Sequence, residues 1–213
     1  MDQRHISEEF SIVFVCTGNR ARSPFAEGLM RARLAQAPVT VSSCGTLDLG
    51  PMPALPEAVE SAVPYGVDLR SAKSCALELH ALAHADLVLG FEPAHVAAAV
   101  VDGGARRERT FTILELAELL DGLPDAAHDP GHVLELAHRR RASNPLSAPS
   151  IEDPLGGTAA VFKDTFDRID RAVAVIAAAL FGAPSPAPVS ELPAGGPRAG
   201  RVRRLLSGRR RSG

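Results

Sequence analysis

The chain has 213 residues, 46% of them hydrophobic but only 4% aromatic, with no tryptophan. That supports one domain plus extensions, built on an aliphatic core. Formal net charge is −2 but unevenly placed: residues 1–182 carry −8, whereas residues 183–213 carry +6 from seven arginines (Arg198, Arg201, Arg203, Arg204, Arg209, Arg210, Arg211) against Glu191. An acidic body argues against nucleic-acid binding. The longest apolar run, Ala172 to Phe181, is too short to span a bilayer.

Residues 1–9 are polar and expected to be flexible, and Met1 to Glu9 hold no apolar segment of a secretory signal. Ser11 to Val15 is continuous rather than alternating in hydrophobicity, as in a strand buried on both faces. Cys16-Thr-Gly-Asn-Arg-Ala-Arg-Ser-Pro24 follows, and Ser23-Pro24 suits a helix start with Phe25, Leu29 and Leu34 as its apolar stripe. Val39 to Ser43 predicts a second strand, Cys44-Gly45-Thr46 a turn, and Pro51, Pro53 and Pro56 a loop. Glu57 to Val63 predicts a short helix ending near Gly66, and Cys75 to Ala83 another. Ala85 to Phe91 predicts a third strand, Pro93 to Val101 a helix, Arg109 to Ile113 a fourth strand and Leu114 to Leu120 a helix. Residues 121–150 lack periodicity and predict a long surface loop with a helical turn at His132 to Arg140. Its basic run, Arg139 to Arg141, reads as a solvated face. Phe162, Phe166, Ile169, Val173, Ile176 and Leu180 recur at helical spacing, so Thr158 to Phe181 predicts an amphipathic helix. From 183 onward the composition is that of a disordered basic tail.

Strands alternating with helices predict an α/β three-layer sandwich: a four-stranded parallel sheet with helices on both faces. Ligands of such folds bind at the carboxyl ends of strands, where Cys16 lies. Between Cys16 and Arg22 the residues are small or polar, and Gly18 and Asn19 tolerate positive φ. Such a loop curls so that backbone N–H groups and the helix N-terminus point inward. A nest of donors with an arginine at its rim fits a tetrahedral oxyanion, and a cysteine at its centre is favoured as the nucleophilic thiolate. The chemistry this suggests is covalent phosphoryl transfer between the first strand and the first helix. Three cysteines, Cys16, Cys44 and Cys75, show no paired spacing, which argues against a zinc knuckle or disulfide framework and for a reducing, cytoplasmic setting.

Cys-x5-Arg-Ser-Pro between strand and helix resembles the low-molecular-weight protein tyrosine phosphatase family. The resemblance spans about residues 10–182. It rests on Val15-Cys-Thr-Gly-Asn-x-x-Arg-Ser-Pro24 with Ala26-Glu27, on Ser42-Ser-Cys-Gly-Thr46, on Asp86-Leu-Val-Leu with His95 downstream, and on Asp153-Pro154 before the last helix. It implies that Cys16 attacks phosphorus, that Arg22 clamps the equatorial oxygens, and that Asp153 serves as acid and then base. It also implies that Thr17, Gly18, Asn19, Arg20, Ala21 and Ser23 surround the phosphate, with Asn19 locking the loop and Ser23 bonded to the sulfur. No cofactor or metal is implied. Phosphorylated proteins are the expected partners, with the chain a monomer or weak dimer. Asp129-Pro130 competes with Asp153-Pro154 for the acid, and His95 reads as a cap or packing residue.

The chain departs from the family in two ways. Ala21 stands where many members carry a second cysteine that guards the nucleophile. Leu47-Asp-Leu49 and Leu155-Gly-Gly-Thr158 stand where tyrosine-specific members place aromatics. The leading expectation is hydrolysis of protein phosphotyrosine through phosphocysteine. Alternatives are a protein arginine phosphatase, a thioredoxin-coupled arsenate reductase, which would need a further cysteine beside Cys75, and a phosphate-binding module without turnover.

Overall fold

A computed structural model describes residues 9–77, 82–121, 129–143 and 149–183. Most of the polar N-terminus and all but the first residue of the basic tail lie outside the described residues. Four strands, β1 (Phe10–Cys16), β2 (Val39–Gly45), β3 (Leu87–Gly90) and β4 (Thr110–Thr112), form one parallel sheet in the order β2-β1-β3-β4. The described helices are α1 (Arg22–Arg33), α2 (Pro56–Ala62), α3 (Pro93–Val101), α4 (Ile113–Leu120), α5 (Pro130–Ser143) and α6 (Ala159–Phe181).

Strand parity divides the core in two. In β1, Ile12, Phe14 and Cys16 face a large cluster filled by α1, α4, α5 and α6. Val13 and Val15 face a smaller cluster with Cys44, Leu82, Val88 and Ala99, the last from α3. Both faces of the sheet are therefore covered, giving three layers, and the unbroken apolar run in β1 is the consequence. On the larger side Phe25 stacks on Phe166 with ring centroids 3.8 Å apart, which fixes α1 against α6. From β1 the chain passes to β2 on one side and later to β3 on the other, so the order reverses at β1. The crevice at such a reversal is where an open α/β sheet binds ligands, and Cys16 ends β1 there.

Four expectations need correction. The expected turn at Cys44 and Gly45 is the end of β2, which runs through Gly45 because Cys16 pairs with it in register. Cys75 to Leu77 is not helical: the Gly45 N–H donates to the Cys75 carbonyl and the Leu77 N–H to the Gly45 carbonyl, so the segment extends along β2. Residues 78–81 of that expected helix lie outside the described ones. Within the expected loop, residues 130–143 form the full helix α5. Residues 122–128 and 144–148 lie outside the description. Val133, Leu134 and Ala137 are buried, and this narrow stripe of tertiary contacts sustains a helix whose own pattern is weak. Arg141 is not a solvated residue either. It pairs with Glu115 at 2.8 Å and lies 3.8 Å over the Phe111 ring. Among the described residues no helix is long and apolar enough to cross a membrane.

Candidate active site

The loop from Cys16 to Arg22 is shaped by where its carbonyls go. Those of Cys16, Thr17 and Arg20 accept hydrogen bonds from the N–H groups of Thr46, Leu47 and Leu55, at 2.9 Å each. In a trans peptide the following N–H points the opposite way, so those of Thr17, Gly18 and Ala21 turn toward the site. Asn19 takes the left-handed backbone that the curl demands, with φ of 51°. Its side chain is a three-way tie: Nδ2 donates to Ser23 Oγ and Ser43 Oγ at 2.8 Å each, and Oδ1 accepts from the Cys75 N–H at 2.9 Å. Gly45 lies against the loop so closely that a Cβ there would sit 2.8 Å from the Thr17 carbonyl oxygen. No other residue type fits under the loop.

Cys16 is 2% exposed at the floor. Its Sγ accepts from the Asn19 N–H at 3.2 Å and lies 3.0 Å from Ser23 Oγ. Arg22, the first residue of α1, is 1% exposed. Its Nη1 is held by Glu92, at the end of β3, and by the Ile151 carbonyl at 3.0 Å. Its Nη2 meets Asp153 Oδ2 at 2.7 Å and Thr17 Oγ1 at 3.4 Å. No acidic side chain occupies the first turn of α1, so the positive end of its dipole is left facing the loop.

His95 lies behind the loop, 3% exposed. Its Nδ1 accepts from the Glu92 N–H at 3.2 Å and, more distantly, the Phe91 N–H at 3.4 Å, while Nε2 lies 3.0 Å from Thr17 Oγ1. Burial, and then the charge of Arg22, lower its pKa to about 4, so the ring is neutral at pH 7. Because Nδ1 is the acceptor, the proton is on Nε2.

Cys16, Thr17, Gly18, Ala21 and Arg22 open into a cavity of about 260 Å³, walled by Leu47, Leu49, Leu55 and Leu155, with Asp153 and Arg20 at its edge. Arg20 Nε donates to the Pro53 carbonyl at 2.7 Å, which holds its side chain along the rim. The walls are aliphatic, as the leucines at these positions imply. A larger cavity of about 440 Å³ between α4 and α6 is lined by Leu114, Ala117, Arg168 and Val175 among others and contains no cysteine or histidine.

The expected site residues Cys16 to Ser23 and Asp153 thus converge. Asp129 does not join them; its Oδ1 accepts from the Gly131 N–H at the start of α5. Glu92, Ile151 and the donor role of His95 were not expected. A carboxylate directly before Pro93, at the carboxyl end of a buried strand, was the available signal for Glu92. Among the described residues no cluster of His, Cys, Asp and Glu has the makings of a metal site.

A curled cysteine–arginine loop at the switch point of a four-stranded parallel sheet defines the α/β class to which this chain belongs. Residues 11–130 match the family described as low molecular weight phosphotyrosine protein phosphatase, and the chain belongs to that family. The chain is similar to the low molecular weight protein-tyrosine-phosphatase Etp of Escherichia coli strain K12, 39% identical over 87 residues. That match covers 41% of this chain but only 57% of Etp. It is also similar to a protein-arginine-phosphatase of Bacillus subtilis strain 168, 30% identical over 161 residues, covering 75% of this chain and 89% of that one. Among solved structures, a YwlE arginine phosphatase mutant with a phosphorylated active site serine superposes with a TM-score of 0.60 at 27% identity, covering 79% of this chain and 93% of the other.

Proposed function

We propose that this chain is a cysteine-dependent phosphatase that hydrolyses phosphotyrosine in proteins. The observation that carries this reading is the convergence on one sulfur: Cys16 Sγ accepts from the Asn19 N–H and lies 3.0 Å from the Ser23 hydroxyl, beside a buried Arg22 that touches Asp153. Cys16 attacks phosphorus as the thiolate, forming an S–P bond as the ester P–O bond breaks. The inward N–H groups and Arg22 bear the charge on the equatorial oxygens. A phosphoryl oxygen competes with Asp153 for Arg22 Nη2; freed from the arginine, the Asp153 carboxylate takes up a proton from solvent and gives it to the leaving oxygen. Water then attacks phosphorus, Asp153 takes its proton, and the S–P bond breaks to return the thiolate, which the Ser23 hydroxyl stabilises. The phosphorylated active site serine of the YwlE mutant supports a covalent intermediate at this position.

The similarity to a protein-arginine-phosphatase over three quarters of the chain, together with the aliphatic rim, favours phosphoarginine as the second reading. The test is a side-by-side measurement of kcat/KM on phosphotyrosine, phosphoarginine and arsenate with one reduced, metal-free preparation, alongside Cys16→Ser. Hydrolysis of phosphotyrosine that is lost in the variant is expected. Phosphoarginine as the better substrate selects the second reading. Absence of turnover on every substrate, with phosphate still bound, would leave a binding module.

A further inference from the structure

We propose that His95 is a positioning residue that turns the Thr17 hydroxyl into a hydrogen-bond donor for the phosphoryl group. This rests on the phosphatase reading and adds a residue to it. A neutral histidine can present either ring nitrogen as the donor. Here the N–H groups of Phe91 and Glu92 both point at Nδ1, at 3.4 and 3.2 Å, so the backbone at the start of α3 selects the Nε2–H form. Nε2–H then donates to Thr17 Oγ1 at 3.0 Å. Arg22 Nη2 supplies a second, longer donor to the same oxygen at 3.4 Å. A hydroxyl has two lone pairs and one proton. With both lone pairs taken, the Thr17 O–H is directed away from His95 and Arg22, into the cavity that Thr17 lines with Cys16.

The fold supplies the link. Thr17 follows β1 and His95 lies just after β3, so the bond spans the crevice where strand order reverses. The end of β3 admits the ring closely: a Cβ on Gly90 would lie 2.9 Å from His95 Cβ. His95 has only 3% exposure and points at the loop from behind, so it touches neither sulfur nor substrate and acts only through Thr17.

Two substitutions separate this role from helix capping. His95→Asn puts Oδ1 near the place of Nδ1, keeps an acceptor for the Glu92 N–H, and cannot reach Thr17. His95→Gln reaches Thr17 with an amide N–H but gives up the cap. The proposal expects His95→Asn to melt near wild type while kcat/KM on an aryl phosphate and affinity for orthovanadate both fall about five- to tenfold, the worth of one hydrogen bond. Thr17→Val should fall by as much, Thr17→Ser should recover most of it, and Thr17→Val/His95→Asn should be no worse than either single variant. His95→Gln should lose melting temperature but keep more vanadate affinity than His95→Asn. In the wild type, ¹⁵N NMR should find His95 in the Nε2–H form at pH 7. An Nδ1–H form, wild-type vanadate affinity in His95→Asn, or losses that multiply in the double variant would overturn the proposal. A wild type that binds vanadate without hydrolysing any ester would sink the phosphatase reading instead, and vanadate affinity across the same variants would still decide the role of His95.

Discussion

Cys16 ends β1 and Cys44 lies one residue before the end of the neighbouring β2, so they are offset by one position in register, and both are buried, at 2% and 7% exposure. Their surroundings differ completely. Strand parity points Cys16 to the side where the loop closes, and there its sulfur meets an N–H and a hydroxyl. Parity points Cys44 to the smaller core, among Val13, Val15 and Val88. Burial first, and then the proximity of Cys75 and Cys16, push the Cys44 thiol up to about 12. Burial by itself leaves a thiol inert. What distinguishes the two positions is the set of polar groups aimed at the sulfur, and one residue of register decides which cysteine receives them.

The largest effect should come from Cys16→Ser, which replaces the proposed nucleophile at the floor of the loop. Turnover of an aryl phosphate should fall by about 10⁴-fold or more, with vanadate still bound in a calorimetric titration. Residual turnover near wild type would mean that the sulfur beside Asn19 and Ser23 is not the reacting atom. Asp153→Ala should lower kcat by about 10²- to 10⁴-fold through loss of acid catalysis, whereas Asp129→Ala should leave steady-state kinetics unchanged. The reverse pattern would transfer the acid to Asp129. Gly45→Val tests whether the polar setting of Cys16 depends on the neighbouring strand. A side chain there must push the Thr17 carbonyl, and a shift of about 1 Å should cost about 10²-fold in kcat/KM.

A smaller effect concerns a third buried titratable group near the Cys16 loop. His95 is faced by Arg22 from α1, Glu92 from the end of β3 and Asp153 from the loop before α6. Its folded pKa of about 4 lies below the ordinary 6.5, so the unfolded chain binds the proton more readily between those values. Stability from this group is therefore present above about pH 6.5 and is lost as pH falls toward 4. Chemical denaturation at pH 7 and pH 4.5 should find wild type losing about 2 kcal/mol more than His95→Asn; equal losses would remove His95 from the acid response. The smallest change should be Cys44→Ala, with unaltered kinetics and about 1 kcal/mol of lost stability from a small void. In wild type, iodoacetamide at neutral pH should label the exposed Cys75 and spare Cys44. Equal labelling of Cys44 would show that the small core does not protect it.

Much of this site was legible in the chain. The run Ile12 to Val15 announced a strand covered on both faces, Cys16 to Pro24 announced a curled loop opening a helix, and Asp153-Pro154 preceded a strongly periodic helix. These signals are local: they rest on periodicity, turn chemistry and a six-residue spacing, which the order of residues alone specifies. The aliphatic rim was also legible, because Leu47, Leu49 and Leu155 lie at fixed offsets from features already recognised.

The residues that the chain order could not supply act across distance through single atoms. Glu92 and the Ile151 carbonyl hold Arg22 from 70 and 129 positions away, and His95 reaches Thr17 from 78 positions away. The Cys75 N–H closes on Asn19 only because Cys75 to Leu77 lies along the end of β2. Helix α5 belongs here too, since its narrow stripe of Val133, Leu134 and Ala137 gains meaning only against α4 and α6. The sequence by itself therefore determined the alternation of strands and helices in a parallel sheet and the loop from Cys16 to Arg22 between β1 and α1. Tertiary structure decided how Arg22 is held, which tautomer His95 adopts, and which of two adjacent buried cysteines has donors. Those outcomes depend on strand order and parity, which bring together groups that no local pattern connects.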